Sequence, residues 1–231
     1  MPQVEIRDLM KVFYVEGTGI AAVDGVSLEI ERGDFLSVVG HSGSGKTTLI
    51  SIIGGILKPT SGKILVEGTD VASFDDDRLS EYRNGRIGIM FQFASLLPIL
   101  TARENVLLPT LFGSGAGRKK EQRALELLEK VGIGDKAGSF PAQLSGGQQR
   151  RVAIARALIN KPEIILADEP TGDLDEETEA DIMDLLRKIN DEENVTLILV
   201  THSLGLAEQA STRLRMSDGK LTDIGGSTVD A

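Results

Sequence analysis

The sequence predicts an α/β fold: a mainly parallel sheet covered by helices, with an antiparallel β subdomain beside it and a helical subdomain inserted into it. Three observations carry this. Apolar, β-branched runs at residues 35–39, 87–91, 164–167 and 195–200 end at turn residues and alternate with helical patterns, the arrangement of a sheet buried on both faces. Residues 4–31 and 63–67 instead alternate apolar with polar side chains, as antiparallel strands with one wet face do. Residues 96–144 are largely helical, with a Gly-rich break at 113–117.

Each helical expectation follows from spacing. Residues 46–56, 121–131, 148–158 and 176–189 place apolar side chains at helical intervals and leave Glu, Lys and Arg outside. No fixed-period repeat or low-complexity tract interrupts them, so the 231 residues read as one domain, with the helical subdomain at about residues 93–160. The runs Arg118-Lys119-Lys120 and Asp75-Asp76-Asp77 read as solvated faces or helix ends, and residues 225–231 as a frayed tail.

Composition narrows the function classes. With 41% hydrophobic and 26% charged residues the chain can bury a sizeable core, and with no cysteine it can form neither disulfides nor thiolate metal sites. The opening MPQVEIRDLMKVF carries Glu5 and Asp8 where a secretory signal would be basic and then apolar. The apolar-rich run at 49–57 falls well short of the roughly 20 residues a bilayer span needs. A soluble protein is expected. The net charge of −10 argues against general affinity for nucleic acid or anionic lipid, so anions must be bound locally.

Such a local site follows the strand at 35–39. Gly40-His41-Ser42-Gly43-Ser44-Gly45-Lys46-Thr47-Thr48 fits the P-loop pattern, glycine, four residues, Gly-Lys-Ser/Thr, between a strand and a helix. Glycines let successive N–H groups face a phosphate, and the new helix turns its positive end to the same anion. Lys46 reaches the β and γ phosphates of ATP, and the Thr47 hydroxyl ligates Mg²⁺. His41 contributes mainly its backbone. Without its setting, the loop is only a glycine-rich helix cap.

Three other strand ends carry polar groups. The strand at 164–167 runs into Asp168 and Glu169; carboxylates there are costly unless they meet a cation or donors. Asp168 is the candidate for holding Mg²⁺ through water, and Glu169 for polarising the attacking water. The strand at 195–200 ends in Thr201-His202, and His202, one of two histidines, suits a γ-phosphate sensor at a ligand-facing sheet edge. Gln92, after the strand at 87–91, is placed to contact Mg²⁺ or water and to report nucleotide state to the helical region. Alone, each of these polar groups would pass for an ordinary cap or turn residue.

Leu144-Ser145-Gly146-Gly147-Gln148, upstream of Asp168-Glu169, resembles the signature of ABC ATPases, and the full set of motifs occurs in that family's order over nearly the whole chain. The resemblance implies a P-loop ABC ATPase whose signature caps the nucleotide held by a second copy in a head-to-tail dimer. Ser145 and the glycine N–H groups at a helix start would form that second anion-binding end. Asp173-Leu174-Asp175 looks like the D-loop that crosses the dimer interface, with Asp173 where this branch often has Asn or Ala. The aromatic stacking on adenine is Phe13 or Tyr14.

Leu166-Ala167-Asp168-Glu169-Pro170-Thr171-Gly172 and Pro141-Ala142-Gln143 look like the branch serving lipoprotein-release and macrolide-export transporters; the cell-division ATPase is also close. The resemblance implies a peripheral subunit on the cytoplasmic face of the membrane, powering a separate integral membrane subunit. Residues 93–100 (Phe-Ala-Ser-Leu-Leu-Pro-Ile-Leu) are a candidate docking surface, with core packing as the alternative. The rival function is a soluble ABC ATPase working as a mechanical or scaffold module, as in cell division or cluster assembly.

Overall fold

The computed structural model describes residues 1–112 and 118–225, so the glycine break at 113–117 and the tail from 226 lie outside the described residues. The chain divides into two compact units, Met1–Leu79 with Asn194–Ala231, and Ser80–Glu193. In chain order the elements before residue 80 are β1 (Val4–Val15), β2 (Thr18–Ile30), β3 (Phe35–Val39), α1 (Lys46–Ile53), β4 (Ser61–Val66), β5 (Thr69–Asp70) and the start of α2 (Asp76–Arg86). There follow β6 (Ile87–Met90), α3 (Ala102–Leu107), α4 (Arg118–Lys130), α5 (Gly146–Leu158), β7 (Ile164–Asp168) and α6 (Glu176–Glu193). The chain then adds β8 (Thr196–Thr201), α7 (Leu204–Ala207), β9 (Thr212–Ser217) and β10 (Lys220–Asp223).

The first unit holds an antiparallel sheet in the order β2-β1-β4-β5, which is the antiparallel subdomain expected from the alternation at 4–31 and 63–67. In the same unit β3 pairs in parallel with both β8 and β9, and β10 closes a hairpin on β9. Every residue of β3 and β8 is buried. That is why Phe35-Leu36-Ser37-Val38-Val39 is a continuous apolar run interrupted only by a serine, whose hydroxyl donates to the Ala207 carbonyl at 3.2 Å.

The second unit pairs β6 with β7 in parallel and is otherwise helical. Helix α4 buries Ala124, Leu127 and Leu128 and continues the stripe into Val131; α6 buries Ile182, Met183, Leu186 and Ile189. Each buried Leu or Ile contributes roughly 1.5–3 kcal/mol over an exposed one. Arg123 of α4 donates to the carbonyls of Leu158 and Ile159 at 3.0 Å each, placing a cation on the last carbonyls of α5.

Several expected boundaries shift for local reasons. The helix expected to reach residue 56 stops at Ile53, because Gly54 and Gly55 follow and Gly55 takes a φ of 66°. Helix α5 starts at Gly146 rather than 148, because Ser145 and Gln148 form a capping box. Helix α6 runs on to Glu193 and ends before Asn194, whose φ is 49°. Asp75 accepts from the Arg78 N–H at 2.9 Å and Asp76 and Asp77 fill the first turn of α2, so this acidic run is a helix end.

Candidate functional site

Strand register sets the site within each unit. In the first, Val39 of β3 lies opposite Thr201 of β8, so Gly40 and His202 emerge from neighbouring parallel strand ends. In the second, Met90 of β6 lies opposite Ala167 of β7, so Gln92 and the pair Asp168-Glu169 leave adjacent strands at the same end. Carboxyl ends of parallel strands are where such sheets bind ligands.

The loop after β3 is a built cradle. A Cβ on Gly45, at φ 109°, would stand 2.0 Å from the Ala22 carbonyl oxygen, and one on Gly40 would stand 2.3 Å from that of Met216. Only glycine fits, because β2 and β9 press the loop from both sides. The Gly219 N–H donates to the Ser44 carbonyl at 3.1 Å, and Gly219 in turn accepts from the Asp24 N–H at 2.9 Å. The Ser44 hydroxyl is buried without a hydrogen-bond partner. An orphaned donor at this point suits an anion. Lys46 Nζ donates to the carbonyls of Gly40 at 2.7 Å and His41 at 3.1 Å, so the ammonium is folded over the loop. His41 thus takes part through its backbone, while its ring faces the Ser42 carbonyl at 2.8 Å. Ser42, Gly43 and Thr47 are exposed and Thr48 is half-buried.

In the second unit Asp168 and Glu169 are half-buried. Glu169 has a φ of 46°, a left-handed conformation uncommon outside glycine, and the chain turns immediately through a Gly172 N–H to Glu169 carbonyl bond at 3.3 Å. Gln92 is exposed, but its main chain is not free: the Arg150 guanidinium donates to the carbonyls of Phe91, at 3.0 Å, and of Gln92. Burial pushes the Arg150 guanidinium below its usual pKa, and Asp173, 4.0 Å away, pulls it back up.

Ser145 caps α5. Its hydroxyl accepts from the Gln148 N–H at 3.3 Å, and the Gln148 side chain accepts from the Ser145 N–H at 2.9 Å. Ser145 and Gly146 are exposed, whereas Leu144 and Gly147 are buried. Asp175 accepts from the N–H of Thr178 at 3.0 Å and from its hydroxyl at 2.8 Å, which start α6. These bonds, the backbone one first, hold its carboxyl below the usual carboxylate range. Asp173 is exposed and Leu174 half-buried.

The two candidate adenine platforms differ. Phe13 is 40% exposed, and Lys11 Nζ sits 5.3 Å from its ring centre while donating to the Lys58 carbonyl at 2.8 Å. Tyr14 is 76% exposed. Of residues 93–100, Phe93, Leu97 and Ile99 are exposed, which removes the core-packing alternative for these three side chains.

A family model described as ABC transporter matches residues 23–172. The chain belongs to the ABC transporter family. Among its relatives is the lipoprotein-releasing system ATP-binding protein LolD of Syntrophus aciditrophicus, 44% identical over 94% of this chain and 98% of that protein. Another is the macrolide export ATP-binding/permease protein MacB of Syntrophobacter fumaroxidans, 41% identical over the whole chain, which spans 32% of MacB. A solved structure of the cassette MJ0796 of Methanocaldococcus jannaschii, described as a dimeric post-hydrolysis state bound to ADP and Pi, superposes with a TM-score of 0.88. It is 41% identical and covers 97% of this chain and 100% of its own.

The ABC chain is thus an ATPase, the ATP-binding subunit of a transporter, with the P-loop fold, antiparallel β subdomain and helical insert of its family. Among the described residues no helix is long and apolar enough to cross a membrane. Sequence reasoning missed the bracing of the loop by Met216 and Gly219. The signal was present: Ser217-Asp218-Gly219-Lys220 is a two-residue hairpin turn, with φ 49° at Asp218 and 80° at Gly219.

Proposed function

We propose that the protein is the ATPase of a lipoprotein-release or macrolide-export type transporter, in which two copies close head to tail on two ATP molecules and drive a separate membrane subunit. The reading rests above all on the cradle around the orphaned Ser44 hydroxyl together with an exposed, Ser145-capped helix start elsewhere in the chain. In this reading each nucleotide lies between the Lys46 loop of one copy and the Ser145 segment of the other. The relatives LolD and MacB support the branch, and the dimeric MJ0796 cassette supports the pairing of copies.

The residues divide the work by chemistry. Main-chain N–H groups of residues 43–48 and the start of α1 take the β phosphate, and Lys46 exchanges the carbonyls of Gly40 and His41 for phosphate oxygens. Thr47, Gln92 and Asp168 offer a hydroxyl, an amide oxygen and a carboxylate, an all-oxygen set that fits Mg²⁺. Mg²⁺ would there neutralise charge on the phosphates. Glu169 orients and deprotonates the attacking water, and His202 senses the γ-phosphate. Asp173, Leu174 and Asp175 line the dimer interface, with Asp175 reaching it from the start of α6. The ring of Phe13, steadied by Lys11, stacks on adenine.

The membrane subunit docks on the second unit, on the cytoplasmic face. Support comes from a groove of about 550 Å³ lined by Arg83, Ile87, Leu108, Pro109, Phe112 and Arg156, in a unit that also exposes Phe93 and Ile99. Residues 93–160 form the helical subdomain that carries motion to it. The transporter relatives LolD and MacB favour a membrane partner over the soluble scaffold reading. The test is Glu169→Gln: it should bind ATP, dimerise stably with ATP and hydrolyse it very slowly. A variant that stays monomeric at saturating ATP, or turns over rapidly, overturns the reading.

A further inference from the structure

The start of the segment that follows β6 is tied to α5, while Asn105 of α3 holds its later part at Leu97 and Leu100. Four consecutive-region carbonyls, those of Phe91, Gln92, Ala94 and Ser95, accept from two arginines of that helix: Arg150 takes the first two, and Arg156 takes Ala94 at 2.8 Å and Ser95 at 2.7 Å. The two arginines differ in one respect. Arg150 also has an acid within reach, Asp173 at 4.0 Å, on the segment that leaves Glu169. Its side chain is 5% exposed and that of Asp173 is 63% exposed.

These distances rank the interactions. A nearly buried guanidinium is costly unless its N–H groups are satisfied, and here two adjacent carbonyls satisfy it. The ion pair is long and half in water, so it adds little stability by itself. It does add direction: the same planar group that fixes the main chain at Gln92 faces the carboxylate four residues after Glu169. The Gln92 side chain meanwhile stays exposed. A lysine could keep the charge but could not present a fork to two carbonyls and an acid at once.

We propose that Arg150 is a positioning residue of the ATPase reaction, setting the backbone at Gln92 and the Glu169–Asp173 turn with one guanidinium. The proposal rests on the reading of Gln92 and Glu169 as site residues. Arg150 touches no reacting atom. It acts on turnover and leaves nucleotide capture, which belongs to the Lys46 loop, unchanged.

The full chain is assayed as Arg150→Lys, Asp173→Asn and the double variant, with kcat and KM for ATP and the urea midpoint read together. Arg150→Lys should lower kcat by about tenfold with KM within about threefold of the parent. Asp173→Asn should lower kcat by about threefold, and adding it to Arg150→Lys should cost nothing more, because it acts through the arginine. Wild-type kcat in Arg150→Lys, or losses that multiply in the double variant, overturn the proposal. Should Arg150→Lys not fold, Asp173→Asn is read together with ATP-dependent dimerisation: lower kcat with undiminished dimerisation supports the proposal, whereas undiminished kcat, or a kcat loss matched by lost dimerisation, overturns it. Gln92→Ala separates the two readings: undiminished turnover in it removes Gln92 from the site, whereas slow turnover in it with fast turnover in Arg150→Lys removes only the positioning role.

Discussion

Gly147 lies against the methyl group of Thr178: a Cβ added to the glycine would stand 2.5 Å from Thr178 Cγ2. Gly146 is looser, meeting only the end of Leu174 at 3.2 Å. The second glycine of the signature is therefore a packing requirement between α5 and α6 within one chain. Any side chain placed there disturbs the helix pair within the chain itself.

Gly147→Ala should destabilise the protein by about 2 kcal/mol through overpacking. Thr178→Ser, which deletes the clashing methyl and keeps the hydroxyl bonded to Asp175, should restore most of the loss. Urea denaturation of the two single variants and the double variant measures this coupling. Strictly additive losses would remove Thr178 as the cause.

Gly45→Ala combines a backbone at φ 109° with a Cβ 2.0 Å from the Ala22 carbonyl. It should cost about 2 kcal/mol or more and abolish ATP binding, because the loop must withdraw from β2 to make room. Calorimetric titration with ATP, alongside a thermal melt, checks both effects. Gly43→Ala is the contrast: its φ is 82°, yet nothing lies within 4 Å of the added atom, so its melting point should fall less.

Phe13→Ala should weaken ATP binding roughly tenfold, the loss expected for one stacked base of about 1–2 kcal/mol. Tyr14→Ala should leave affinity within about twofold, since that ring stands 76% exposed beside the hairpin turn. Equilibrium titration with a fluorescent ATP analogue distinguishes them. The reverse order would transfer the platform to Tyr14.

Asp175 gives a pH signature. Its folded pKa is depressed by the Thr178 N–H and hydroxyl, so its contribution is present above the unfolded carboxylate value, near 4, and is lost as pH falls through the lower folded value. Asp175→Asn should lower the urea midpoint at pH 7, and the gap from the parent should close in acid below that folded value. A gap independent of pH would remove the carboxylate as its source.

The site was legible in the sequence wherever chemistry and local geometry coincide. Gly40 to Thr48 declares itself because one short stretch supplies the strand end, the glycines and the lysine, and the strands around Asp168 and His202 declare themselves as continuous apolar runs. Helix ends were less legible where a cap outvoted the apolar pattern: Ser145 drew the start of α5 two residues earlier than spacing alone implies. The contacts of Arg150 and Arg156 were not legible, since both arginines sit 58 to 62 residues from the carbonyls they hold. Met216 and Gly219 were missed for the same reason, as their contribution is a carbonyl oxygen and an N–H that no side-chain pattern encodes.

The hydrogen bond from Gly219 to Ser44 also bears on synthesis. The phosphate loop is translated before the hairpin that props it, which follows β8 and α7 in the chain. A nascent chain carrying every residue of the loop still lacks the strand against which Gly40 rests and the amide that fixes Ser44. The loop is therefore braced on both sides only once β9 and β10 have been made.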